Sequence, residues 1–187
     1  MQGNQLNLSI KPKEFFRQVI TQAAKKNKVE VNEEVEYYLV NLLCNFIQPE
    51  KIKTIFGEKS VLDTPIAFIQ KKALESPPCK QIKIFKSLGD SSLYISGYFE
   101  DFFNRKTFSI DYFIELGSNA YNQVSQLLKE RERGNHFSSV YSNLSENFQT
   151  YVEIYGEVSS TVNQGKNESR VKRKVHEKNI RRKPSAE

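Results

Sequence analysis

Apolar residues recur at spacings of three and four along most of this chain, the period of an α-helix with one buried face. From Pro12 to Lys26, Phe15, Phe16, Val19, Ile20, Ala23 and Ala24 form such a stripe. The proline suits a first helical turn, where no backbone N–H is needed. Asn32 is placed to cap a second helix, about Glu33 to Ile47, with three glutamates in its first turn to complement the helix dipole. Val35, Tyr38, Leu39, Leu42 and Phe46 make its stripe, and Val40, Leu43 and Ile47 widen it. A wide stripe predicts a central helix.

A short helical turn is expected over 51–56, and Asp63-Thr64-Pro65 opens a third helix, about Pro65 to Glu75. Ser76-Pro77-Pro78 stops it and starts a fourth, about Pro78 to Leu88, with Gly89 as a left-handed stop. Asp90 reads as the cap of a fifth, about Ser91 to Phe103. Its Tyr94, Ile95, Tyr98, Phe99, Phe102 and Phe103 cover half the circumference and predict packing on two sides. Ser109 caps a sixth helix, about Ile110 to Glu132. The clearest pattern is the last, about His136 to Ser160. Phe137, Tyr141, Leu144, Phe148, Tyr151, Tyr155 and Val158 follow an unbroken four-three alternation. That seam predicts packing along the chain's own domain, or else a homodimer through 136–160. The aromatics are bulky for a two-stranded coil, which favours the first.

These elements imply an all-α fold: a single-domain bundle of six to seven helices over residues 10–162, followed by a disordered basic tail over 163–187. A chain of this length buries enough surface to fold without disulfides or metals. Cys44 lies in an apolar run and reads as a small hydrophobe, while Cys79, at a helix start, is the more reactive thiol. There is no signal-peptide pattern at the start and no run of about 20 apolar residues. The expectation is a cytoplasmic protein with reduced thiols and no integral membrane segment.

Charge changes the picture because of where it sits. The formal net charge is +6. From Gly165 to Glu187 there are nine Lys and Arg against three acids, so the whole surplus lies there. The remaining nineteen bases are matched by nineteen acids. Arg170, Lys172, Arg173, Lys174, Arg181, Arg182 and Lys183 are the candidate contacts for nucleic acid or another anionic partner. The segment has no aromatic residue, so contact with phosphates rather than base stacking is implied, and such contact weakens steeply with salt.

Catalytic chemistry finds little support. The two histidines, His136 and His176, have no nucleophile or carboxylate at a recognised spacing, and no phosphate-cradling glycine loop or dinucleotide fingerprint is present. Glu100, Asp101, Asp111 and Glu115 would make an all-oxygen site for Mg²⁺ or Ca²⁺ only if they converged. A carboxylate-metal enzyme is therefore the weakest reading, and no cofactor is expected. The leading expectation is a non-enzymatic binding or regulatory protein acting through protein–protein contacts. The alternative is a nucleic-acid-associated protein that uses its tail. Tyr112, Leu116 and Ile154 lie off the apolar stripes and are the candidate interface residues, with a place at the edge of the core as the commoner alternative for such positions.

The stretches Lys86-Ser87-Leu88-Gly89-Asp90-Ser91-Ser92-Leu93-Tyr94-Ile95-Ser96-Gly97-Tyr98-Phe99 and Ile110-Asp111-Tyr112-Phe113-Ile114-Glu115-Leu116-Gly117-Ser118-Asn119-Ala120-Tyr121 resemble a group of uncharacterised bacterial all-helical proteins. The resemblance covers about Pro78 to Ser160. It implies a bacterial, cytosolic origin and assigns no activity or residue role.

Overall fold

The structure, a computed structural model, describes the backbone of residues 11–48, 50, 66–98, 109–131 and 136–181, and their side chains except at 66, 67, 136 and 165–181. Seven helices are found among the described residues, and no strand. They are α1 (Pro12–Lys26), α2 (Glu33–Phe46), α3 (Ile66–Leu74), α4 (Pro78–Tyr98), α5 (Ile110–Arg131), α6 (His136–Glu146) and α7 (Phe148–Arg181). One core draws side chains from all seven. None of the described helices is long and apolar enough to cross a membrane. The expected turn at 51–56, the start signal at 63–65 and the residues Glu100 and Asp101 lie outside the described residues.

Local chemistry explains most helix ends. Pro12 opens α1. Its end is a left-handed cap. The Val29 N–H donates to Ala24 O at 2.9 Å, and the Lys28 N–H to Lys25 O at 3.1 Å. Lys28 takes the positive φ of 55° that this closure requires. Asn32 caps α2 as its sequence position suggests, accepting the Val35 N–H at 2.8 Å. Ser109 accepts the Asp111 N–H at 3.2 Å at the head of α5.

Two expectations fail here for one reason. Gly89 does not stop a helix and Asp90 does not start one, because α4 runs unbroken from Pro78 to Tyr98. Gly89 is there for close approach. A Cβ on it would stand 2.6 Å from the Tyr121 ring of α5. A glycine that faces a packed aromatic looks, in sequence, the same as one that ends a helix.

α4 packs chiefly on α5, α6 packs on α5, and α7 lies against α4. The α1–α2 hairpin closes over this group, with α1 on α7. The helix expected over 136–160 is interrupted at Asn147 alone. Hydrogen bonding carries through it, from the Asn147 N–H to Asn143 O at 3.0 Å and from the Tyr151 N–H to Asn147 O at 3.1 Å. From Tyr141 to Val158 the aromatic seam is buried within the chain, so it offers no free stripe to a second copy. Phe137 departs from it and stands exposed. Val162 is the last described residue packed against the core, while the helical backbone continues to Arg181.

α4 and α7 come close together at Gly97. A Cβ there would meet the Tyr155 Cβ and stand 2.9 Å from the Val152 carbonyl oxygen. On the facing helix, a Cβ at Gly156 would find its nearest neighbour, Gly97 O, at an ordinary 3.7 Å. Gly97→Ala is therefore expected to lose about 2 kcal/mol or more in urea unfolding, since backbone cannot give way as a flexible side chain can. Gly156→Ala should be neutral or gain up to about 1 kcal/mol from helix propensity. Equal effects of the two changes would contradict this packing.

Candidate functional site

Asp90 lies midway along α4, on the face turned toward α2 and α5. Its side chain is 13% exposed. Three groups meet its carboxylate. The Tyr38 hydroxyl of α2 donates to Oδ1 in a short bond. The Tyr121 hydroxyl of α5 donates to the same oxygen at 2.9 Å. Lys86, one turn earlier on α4, pairs with Oδ2. The Lys86 ammonium also lies 5.0 Å from the centre of the Tyr38 ring. Tyr141 of α6 completes the group, edge-on to Tyr38 at 5.5 Å and tilted against Tyr121 at 5.8 Å. Tyr155 of α7 reaches α2 separately, donating to Leu39 O at 2.8 Å. Among the described residues, no buried side-chain nitrogen or oxygen lacks a partner.

Burial holds these phenols in the neutral form. Tyr38, Tyr121 and Tyr155 are all raised well above 10.0, first by loss of water. The Asp90 carboxylate adds to the shift in each, since a phenolate beside it would be like-charged. Burial also pushes Tyr141 and Tyr151 up to about 12. No phenol here is set up to give up a proton near neutral pH. The network therefore holds the helices together and does not resemble an acid–base pair tuned for catalysis.

Above this network opens a trough of about 690 Å³ between α2 and α6. Tyr38, Leu42, Val140 and Tyr141 supply its apolar floor, and Lys86 the charged part. Tyr37 on α2 and Phe137 on α6 also line it, 63% and 68% exposed. Asn41 and Asn45 continue the α2 wall, while Glu33, Glu34 and Arg17 stand at the end near α1. The α2 residues involved are spaced by whole turns, so one helical face forms the wall. Arg17 is paired with Glu36 at 3.1 Å.

The residues expected from sequence to form an interface fare differently. Tyr112 is exposed, at 43%. Leu116 and Ile154 are corrected to core positions, 8% and 0% exposed. Leu116 lies on α5, which is packed by both α4 and α6, and Ile154 on α7, which meets α1, α4 and α5. A helix with several neighbours buries more than one stripe. Asp111 and Glu115 are exposed, and no group of three or more metal-ligating side chains converges among the described residues. Cys44 is partly buried, which raises its thiol pKa, and Cys79 is exposed. His136 opens α6. Arg170, Lys172, Arg173, Lys174 and Arg181 lie on the backbone of α7 beyond Val162. Arg182 and Lys183 lie outside the described residues.

Sequence reasoning missed Asp90, Tyr37 and Phe137. A signal for Asp90 was present: an acid four residues after Lys86, the spacing of an ion pair on one helix. For the two exposed aromatics there was none, because Phe137 fits the seam pattern as well as its buried neighbours do. No family model, curated protein or solved structure matches the chain.

Two outcomes follow from the network. Asp90→Ala leaves the Tyr38 and Tyr121 hydroxyls without their acceptor and should cost about 3 kcal/mol in urea unfolding. Asp90→Asn, which keeps an accepting oxygen, should cost less, and a loss of under about 0.5 kcal/mol for the alanine variant would refute the role. The second outcome concerns alkali. A phenol whose folded pKa exceeds its unfolded value of 10.0 contributes stability that is complete below pH 10. That contribution disappears as pH rises through the folded values, about 12 for Tyr141 and Tyr151. Phenolate absorbance from the buried tyrosines and loss of helical circular dichroism should therefore coincide above pH 10. Ionisation of all nine tyrosines near pH 10, with the helices intact, would contradict it.

Proposed function

We propose that this is a non-enzymatic binding or regulatory protein that works through protein–protein contact, with the trough between α2 and α6 as its contact surface. The observation that carries the reading is the pair Tyr37 and Phe137, two large aromatics left exposed along one apolar depression. Exposed aromatics beside a preformed pocket are what interfaces use as anchors. They cost the free protein apolar surface in water, and they return it when a partner covers them. The trough is open along one side, which suits a macromolecular surface better than a small ligand that must be mostly enclosed. The buried tyrosines support the same reading, since their raised pKa values fit a rigid floor rather than acid–base work. Tyr112 is a separate exposed aromatic on α5 and serves as the control position.

The full-length protein should capture its partner from extracts of its source cells. The Tyr37→Ser/Phe137→Ser double variant should weaken that capture at least about tenfold, the scale of losing anchor side chains. Tyr112→Ser should leave it unchanged. Since both anchors are exposed, thermal stability should not move, which separates lost contact from lost fold. Capture that persists in the double variant, or that disappears with Tyr112→Ser alone, would overturn the reading.

A further inference from the structure

We infer that α7 carries a second binding surface beyond the core, a one-sided cationic stripe for the phosphates of a DNA duplex, independent of the trough. Val162 is the last described residue packed against the core, and the helical backbone of α7 runs on from it to Arg181. A regular backbone settles which residues share a face. At about 100° per residue, Lys166, Arg170, Arg173, Lys174, Lys178 and Arg181 fall within an arc of about 140°. With His176 neutral, residues 163–181 hold seven cations and two acids. Six of the cations share the arc with Glu177, so the arc is five positive charges in excess. The seventh, Lys172, falls on the opposite side, four residues after Glu168, the spacing of an ion pair on one helix.

The stripe has the shape and the chemistry of a contact for a linear polyanion. Lys166, Arg170, Lys174 and Lys178 form a row with a rise of about 6 Å between members. Like charges at that spacing repel and weaken a helix standing alone. A line of anions beside the row removes the repulsion. From Lys166 to Arg181 the stripe is about 22 Å long, and a duplex presents roughly thirteen phosphate charges over that length. A helix about 10–12 Å across also fits the major groove of B-DNA, about 12 Å wide. A bilayer surface fits less well. A helix lying in a membrane interface needs one broad apolar face, and here Val171 and Val175 fall on one side while Ile180 falls on another. Residues 165–187 include no aromatic residue to anchor in a headgroup layer. A protein surface fits less well for a related reason, because the arc holds no apolar or aromatic residue to fill a pocket. Phosphate contact needs neither, since release of condensed counterions supplies the binding free energy.

Fluorescence anisotropy of a labelled, mixed-sequence DNA duplex of about 20 base pairs with the full-length protein tests this. Five phosphate contacts predict an affinity that falls about 500-fold between about 50 and about 200 mM salt. The exchange variant Ser169→Arg/Arg170→Ser/Lys174→Val/Val175→Lys/Lys178→Asn/Asn179→Lys keeps composition and net charge but spreads the cations around the helix. It should bind at least about tenfold more weakly. Lys172→Gln, off the stripe, should change affinity less than about twofold. All of these positions lie beyond Val162, so thermal unfolding of the core should not move. Binding by the exchange variant within about twofold of the natural chain would mean that total charge alone counts, and the stripe would be refuted. Affinity that ignores salt would refute it as well. Tighter binding to phosphatidylserine vesicles or to a polyglutamate peptide than to the duplex, at equal salt, would overturn the choice of partner.

Discussion

A carboxylate withdrawn from water has to be met by donors, and in this protein two of the three come from other helices. Asp90 of α4 takes a hydroxyl from Tyr38 of α2, a hydroxyl from Tyr121 of α5 and an ammonium from Lys86 of its own helix. Hydrophobic burial alone would bring these helices together without deciding how they rotate or slide. Directional bonds to a single carboxylate leave far less freedom, because a hydroxyl displaced by a turn would be buried without an acceptor. The glycine next to Asp90 is part of the same arrangement. Without a Cβ at Gly89, Tyr121 can press its ring against the α4 backbone while its hydroxyl reaches the carboxylate.

The same side chains connect the interior with the surface. Tyr38 and Lys86 hold Asp90 on one side and form part of the trough floor on the other. The proposed contact surface would be supported from below by bonds that a partner need not supply. That rigidity reduces the ordering cost of association, which otherwise consumes much of the free energy that contact releases. Tyr37 and Phe137 line the same trough and stay 63% and 68% exposed.

How much of this was legible beforehand depended on the reach of each interaction. Helix caps are local. Asn32 and Ser109 act on N–H groups two or three residues away, so their spacing is enough to identify them. The main buried stripe of a helix is nearly as local. Val35, Leu39, Leu42 and Phe46 recur as α2 requires. Where several helices surround one, the single-stripe rule misleads, and in sequence Leu116 and Ile154 read as exposed contacts or edge-of-core residues for that reason. The site was harder still. Asp90 has the signature of a cap until Tyr38, fifty-two positions away, is seen to donate to it.

The order of amino acids alone determined that this chain is helical, roughly where most helices begin and end, and that its positive surplus lies beyond Gly165. Those properties depend on period, capping and composition, which act within a few residues. Only the tertiary structure decided that Gly89 joins two helical segments, that Asp90 is buried among tyrosines, and that Phe137 is left outside while the rest of its seam is covered. Each of those depends on which helix comes to lie opposite. That choice is made by packing and hydrogen bonds between positions far apart in the chain, and no local pattern records it.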